Sequence, residues 1–327
     1  MVAAMIPPAA APAFLAANGW AGAEIRPLAG DASFRRYFRV HDGARTAVLM
    51  DAPPEHEDSR PFLGVGGHLI GLGFAAPVPL GIDLDLGLIL LEDFGDDRVT
   101  PLLERSPDLE TSIYADAIDL LAELHAHPAP PLRAYDRAEL LREVRLFADW
   151  YLPAAGLAEA PGYDAAWEAV FAPALCAVPV LTLRDYHADN LMLLDRPGLQ
   201  RLGLLDFQDA LAGHPAYDLV SLLQDARRDV SPALEAAMLD RYLDAAHVVD
   251  HAAFRAAYEV LGAQRNTKIL GIFTRLRDRD GKAGYVERHP RLWRHLERNL
   301  QHPALGPIAA WFAANVPVAA RSDALSR

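Results

Sequence analysis

The 327-residue chain contains one cysteine, Cys176. A lone thiol cannot build a disulfide framework, which fits a reducing compartment and a cytoplasmic location. It lies in the apolar run Ala174-Leu175-Cys176-Ala177-Val178, where a core residue is expected and not a nucleophile. No run of 18 apolar residues occurs, so neither a membrane span nor a membrane partner is expected. The Ala/Pro-rich start lacks a basic segment and is interrupted by Pro7, Pro8 and Pro12, unlike a signal peptide. Positive charge is in deficit: 31 Lys and Arg stand against 44 Asp and Glu, a net charge of −13 that argues against a nucleic-acid partner. There is no HExxH-type pair, and His187, Asp189 and His214 are too scattered to read as a zinc site. No internal repeat is visible.

The composition, 52% hydrophobic and 23% charged, is that of a globular protein with one large or two moderate domains. The first third reads as a small sheet with one helix. Strands are expected at Glu24 to Leu28, Phe34 to Val40 and Thr46 to Met50, the last two joined by the hairpin signal Asp42-Gly43. A helix from Asp58 to about Leu72 follows, then strands at Val78 to Ile82 and Leu86 to Leu91. The acidic, glycine-bearing segment 92–97 reads as a hinge, dividing residues 1–91 from 98–327. Beyond it the period becomes 3.6. Ile113, Ala117, Leu120, Leu121 and Leu124 line one helix, and His125 and His127 near its end suit the helix dipole. Leu140 to Leu152 predicts another helix, with Val144, Phe147 and Trp150 inward. Further helices are expected after the Ser231-Pro232 cap, over Ala252 to Leu276 and over Pro290 to Leu300.

One stretch carries chemistry. Arg184-Asp185-Tyr186-His187-Ala188-Asp189-Asn190 is followed by two apolar runs, Leu191 to Leu194 and Leu202 to Leu205, around the turn Asp195-Arg196-Pro197-Gly198, and then by Asp206-Phe207-Gln208. Asp and Asn often merely cap turns. Here the hairpin would return Asn190 and Asp206 to neighbouring strand ends. An Asp five residues before an Asn, with a second Asp after a hairpin, suits phosphoryl transfer from a Mg-nucleotide. Asp185 would take the proton of a hydroxyl, Asn190 would hold one metal, and Asp206 would bridge metal and phosphates. A loop at Gly30 to Ser33, with Arg35 and Arg36 beside it, is a weaker phosphate-binding signal. From Gln264 to Arg298 basic residues outnumber acidic ones. That excess reads equally as a solvated helical face or as a pocket wall for an anionic ligand, with Arg265 and Lys268 one turn apart.

Together these features resemble the aminoglycoside phosphotransferase superfamily, the small-molecule relatives of protein kinases. The segments Gly30 to Arg39, Leu49-Met50-Asp51-Ala52-Pro53-Pro54, Leu205 to Ala210 and Gln264 to Phe273 look like its N-acetylmuramate/N-acetylglucosamine 1-kinase branch. The likeness runs from about Trp20 to Trp311. It implies an α+β, bilobal protein-kinase-like fold, with a small antiparallel β-sheet lobe and a larger, mainly helical lobe. It implies ATP and Mg2+ as cofactors, the loop of Ser33, Phe34, Arg35 and Arg36 over the phosphates, and the backbone from Glu92 to Phe94 against adenine. Asp218 would be the family's buried Asp that braces the catalytic loop. His187, Asp209, Arg265 and Lys268 are the expected contacts to an amino sugar, and a monomer is expected. Two positions depart from the pattern: Met50 stands where many kinases carry a phosphate-binding Lys, and Gln208 where a Gly follows Asp-Phe. An aminoglycoside kinase and a nucleotide-binding scaffold without turnover are the alternatives.

Overall fold

The computed structural model describes residues 5–30, 34–158 and 161–321. The loop residues Asp31, Ala32 and Ser33 lie outside the described residues, so the expectation for Ser33 has no structural counterpart here. The chain divides into two compact units. One comprises Met1–Leu102 with Asn190–Asp209, the other Leu103–Asp189 with Ala210–Arg327.

The first unit is built on a five-stranded antiparallel sheet: β1 (Glu24–Gly30), β2 (Arg36–Asp42), β3 (Arg45–Asp51), β4 (Pro79–Asp83) and β5 (Leu88–Glu92), in the order β1-β2-β3-β5-β4. The β2–β3 turn is the Asp42-Gly43 hairpin, with Gly43 at φ 60, where a glycine carries no steric cost. Alternation puts Phe38, Val40, Ala47, Leu49, Leu88 and Leu90 on one face, packed with Phe14, Leu15 and Trp20. Each large apolar side chain so buried contributes about 1.5–3 kcal/mol. The helix Arg60–Gly71 buries Phe62, Val65 and Leu69.

The motif hairpin, Leu191–Leu193 paired with Leu202–Leu204, belongs to this unit. Its backbone explains why. The Leu204 N–H donates to the Ala75 carbonyl at 2.8 Å and the Leu193 N–H to that of Asp97 at 2.8 Å. Phe94 lies over Gly203, where a Cβ would come within 2.7 Å of the ring. Only glycine permits that approach.

The second unit is mainly helical. Its long helix His251–Asp278 is capped by Asp250, which accepts from the Ala253 N–H, and the helix Pro232–Ala245 is capped by Ser231, which accepts from Leu234. An aromatic cluster of Phe147, Tyr151, Trp293 and Phe312 fills part of the core.

Two sequence expectations fail in this unit. The helix expected over Leu140 to Leu152 runs only from Arg137 to Leu146 and then opens into a π-helical turn, Phe147–Tyr151. The extra residue rotates the inward face, so Tyr151 is buried while Trp150 is only partly so. Gly271 lies directly against the Leu146 carbonyl and the Phe147 nitrogen at this turn. Cys176 is exposed, not a core residue. A 3-10 turn over Ala172–Leu175 buries Ala174 and leaves Cys176 and Val178 outside, before the strand Val180–Thr182 begins. Among the described residues, no helix is long and apolar enough to cross a membrane.

Candidate active site

In the sheet-bearing unit the hairpin does what its sequence suggests. The Leu205 N–H donates to the Asn190 carbonyl at 3.0 Å, closing the ladder beyond its last strand pair. The Asn190 amide nitrogen then lies 3.3 Å from Asp206 Oδ2. Asp206 occupies the left-handed region at φ 58, an unusual place for a residue with a Cβ. The next ring helps to hold it there. Phe207 stacks on Phe62 at 5.1 Å, and Gly66 leaves room for that ring, since a Cβ would stand 3.2 Å from it. Gln208 donates its side-chain amide to Asp206 Oδ1 at 2.8 Å, and the Arg35 guanidinium lies 3.4 Å from the same oxygen. The residue that departs from the expected glycine is thus a partner of the motif carboxylate.

The expected nucleotide contacts are dispersed within this unit. Arg35 is nearly buried, at 8% exposure, beside Asp206, whereas Arg36 is tied to the buried Asp51 opposite it on β3 through Nε at 2.8 Å. Phe34 is exposed and stacks on His56 at 4.6 Å. Glu92 ends β5 and pairs with Arg196, whose guanidinium also sits 5.4 Å from the Phe94 ring. Arg39, which the sequence reading did not single out, binds Asp93 at 2.8 Å, Asp96 at 2.7 Å and the Gly95 carbonyl at 2.9 Å. It fastens the segment after β5 to β2. Met50 is fully buried and holds no charge. Asp209 is exposed in this unit.

In the helical unit Asp185 follows the strand Val180–Thr182. Asp218, fully buried in the helix Ala216–Leu223, accepts the Leu183 N–H at 2.7 Å and the Arg184 N–H at 2.8 Å. The Ser221 hydroxyl donates to the Arg184 carbonyl at 3.0 Å. These bonds hold Arg184 at φ 70, a conformation that costs about 1–3 kcal/mol for a non-glycine residue. They fix the direction in which Asp185 leaves the strand. On the other side of Asp218, His125 Nε2 stands 4.0 Å from the carboxylate and its Nδ1 2.8 Å from the Tyr242 hydroxyl.

The Asp185 carboxylate is 38% exposed and lies 3.5 Å from the buried Arg265 guanidinium. Burial alone would raise its pKa, but Arg265 and then Lys268 pull it below the ordinary carboxylate value. It is therefore ionised at neutral pH. His187 is 2% exposed, and burial followed by the charge of Arg227 keeps its imidazole neutral well below the usual range. Arg265 and Lys268 resolve the open question of the basic stretch at their own positions, since both are buried and neither lies on a solvated face. Both approach the Tyr217 hydroxyl, at 3.2 and 3.3 Å, and Lys268 pairs with Glu143 at 2.8 Å. Any substrate carboxylate reaching these cations would compete with Asp185 and Glu143.

Residues 24–260 match the phosphotransferase enzyme family. The chain belongs to that family. It is 41% identical to the N-acetylmuramate/N-acetylglucosamine kinase of Caulobacter vibrioides over 96% of this chain and 98% of the relative. Two solved structures share the fold at low identity. A choline/ethanolamine kinase family protein from Mesorhizobium loti superposes with a TM-score of 0.63 at 15% identity, covering 92% of this chain and 97% of that one. The APH(2")-IIa enzyme of a streptomycin–ATP ternary complex gives 0.58 at 16% identity, over 81% and 91%. The small antiparallel sheet and the mainly helical remainder are accordingly those of a protein-kinase-like phosphotransferase.

The APH(2")-IIa structure above is a complex with ATP, and the donor set here fits a magnesium ion. Magnesium takes hard oxygen ligands and keeps several waters, so one carboxylate and one amide oxygen at a hairpin mouth suffice. Asp206 is 34% exposed, and its carboxylate lies beside the Asn190 amide.

Glu143, Arg184, Tyr217 and Arg39 received no role from the sequence. Glu143 had a signal: it sits on the apolar stripe Leu140, Val144 and Phe147, where a carboxylate must be paired. The others carry no local mark.

Proposed function

We propose that this phosphotransferase moves the terminal phosphoryl group of ATP to the anomeric (C1) hydroxyl of N-acetylmuramate, N-acetylglucosamine, or both, a step suited to cell-wall recycling in the cytoplasm. The observation that carries the reading is the convergence of Asn190 and Asp206 at the mouth of one hairpin, 3.3 Å apart, with the ionised Asp185 five residues upstream. The name of the Caulobacter relative supports the sugar.

Asp185 accepts the hydroxyl proton as the sugar oxygen bonds to the γ-phosphorus. The bond from phosphorus to the bridging oxygen breaks, and ADP leaves with that electron pair. Asn190 and Asp206 would hold Mg2+, which when bound offsets the charge of the transferring group. With Met50 uncharged and Arg36 engaged by Asp51, Arg35 is the candidate cation for the phosphates. Phe34 and the chain from Glu92 to Phe94 would meet the nucleotide. His187, Asp209, Arg265 and Lys268 would form the sugar side. The enzyme would act as a monomer.

The test is ADP release measured with N-acetylmuramate, N-acetylglucosamine, a panel of aminoglycosides and no acceptor, with phosphorus NMR of the product. A sugar 1-phosphate from either amino sugar is expected. ADP release with aminoglycosides alone, or with no acceptor dependence, overturns the reading.

A further inference from the structure

Besides Arg227, three cationic side chains lie near the base. Arg184 precedes Asp185 in the chain, Arg265 lies 3.5 Å from it, and Lys268 shares the Tyr217 hydroxyl with Arg265. All three are at most 13% exposed. Such charges, if free to reorient, would compete for the Asp185 carboxylate. Glu143, one helix away and 1% exposed, pairs with two of them. Its Oε1 binds Arg184 Nη2 and, at 2.8 Å, Lys268 Nζ. Its Oε2 accepts the Tyr135 hydroxyl and, at 3.0 Å, the Gln264 amide. Four donors thus saturate a buried carboxylate, which is what allows it to stay charged away from water. The rings complete the frame. Tyr135 packs edge-on to Tyr217 at 4.9 Å, Arg184 lies over Tyr135 at 5.6 Å and Arg265 over Tyr217 at 5.4 Å.

We infer that Glu143 is a positioning residue for Asp185: it holds Arg184 and Lys268 so that Arg265 is the cation that faces the base. The inference rests on Asp185 being the base of the proposed reaction. Glu143 touches neither substrate nor nucleotide in this scheme and acts through the two cations that it holds. The π-turn at Phe147–Tyr151, one turn beyond Glu143, receives the close approach of Gly271 and so locks the register between the two helices that carry the network.

The experiment compares the full-length wild type with Glu143→Gln, Glu143→Gln/Lys268→Met, Tyr135→Phe and Asp185→Asn. Kcat, both KM values and thermal unfolding are measured for each. Glu143→Gln leaves two cations without their anion beside the base, and its kcat should fall on the order of 10²-fold, the scale of an ångström-sized misplacement. The KM for ATP should stay within about twofold. The double variant removes one unbalanced charge along with the anion and should recover a substantial part of kcat. Tyr135→Phe changes no charge and serves if Glu143→Gln does not fold. Its kcat should drop several-fold, beyond what any loss of folded fraction accounts for. A double variant worse than Glu143→Gln, or a Tyr135→Phe that loses stability but not kcat, overturns the inference in favour of a purely structural role. Near-normal turnover in Asp185→Asn sinks the base assignment itself, whatever the Glu143 variants do.

Discussion

Gln208 donates its side-chain amide to the Asp206 carboxylate at 2.8 Å. A residue at the position of an expected glycine is therefore a partner of the expected metal ligand, and it helps to aim a carboxylate whose backbone sits at φ 58. Partners of this kind tune metal affinity by roughly 10–100-fold. Gln208→Ala should raise the magnesium concentration for half-maximal ADP release by about 10-fold, with the sugar KM little changed. An unaltered magnesium titration would leave the Gln208 bond without consequence for the metal.

Asp185→Asn should keep the fold and Mg-ATP binding yet lose roughly 10²-fold or more in turnover, the usual scale for a positioned general base. Asp206→Ala should abolish turnover, and Asn190→Ala should reduce it severely. Turnover by Asp206→Ala with the wild-type magnesium requirement would remove this hairpin from the chemistry.

Asp218 accepts two backbone N–H groups of the segment that leads to Asp185, at 2.7 and 2.8 Å. Asp218→Ala leaves both donors buried without that partner, and each such loss costs about 1–3 kcal/mol. Urea unfolding should show a stability loss of several kcal/mol, with activity falling further than the folded fraction, because Arg184 would no longer be held at φ 70. Activity that merely tracks the folded fraction would make the brace purely structural.

Gly271 sets the distance between the helix His251–Asp278 and the π-turn, its α-carbon facing the Leu146 carbonyl and the Phe147 nitrogen. In Gly271→Ala the new methyl meets backbone, which cannot swing aside as a side chain can. Overpacking of this kind costs typically about 1–3 kcal/mol. A lowered midpoint in urea is expected, and an unchanged or raised one would mean that the turn relaxes without strain.

Much of this was legible in local pattern. The hairpin signal Asp42-Gly43, the Ser231-Pro232 cap and the apolar runs flanking Asn190 and Asp206 each rest on interactions within a few residues, and each reappears in the structure. What escaped depends on approach between distant segments. The π-turn at Phe147 has no signature in its own residues and shows only against Gly271. Cys176 sits in an apolar run that reads as core, but a 3-10 turn just before it reverses which side faces inward. The pairing of Lys268 with Glu143 spans 125 residues of sequence, so the basic stretch read equally as a solvated face and as a pocket wall.

The last prediction concerns Arg265 and pH. Burial pushes the Asp185 pKa up, Arg265 pulls it down most strongly, and Lys268 and Arg227 pull in the same direction. The net result lies below the ordinary value of 3.8, so the carboxylate stays ionised at any pH above it. Arg265→Ala removes the largest opposing charge and leaves burial less opposed, which moves the pKa upward. A depressed carboxylate is ionised down to its lowered pKa, so raising that value must bring the acid limb of the kcat profile to higher pH. The KM for ATP should not change, because Arg265 is proposed for the sugar side and other residues are proposed for the nucleotide. If the guanidinium also binds the sugar, the KM for N-acetylmuramate rises more than that for N-acetylglucosamine, since only the former carries a lactyl carboxylate; a charged hydrogen bond of about 2 kcal/mol corresponds to roughly a 30-fold effect. An acid limb that stays in place while the N-acetylmuramate KM rises would make Arg265 a substrate contact and not the partner that sets the charge of Asp185.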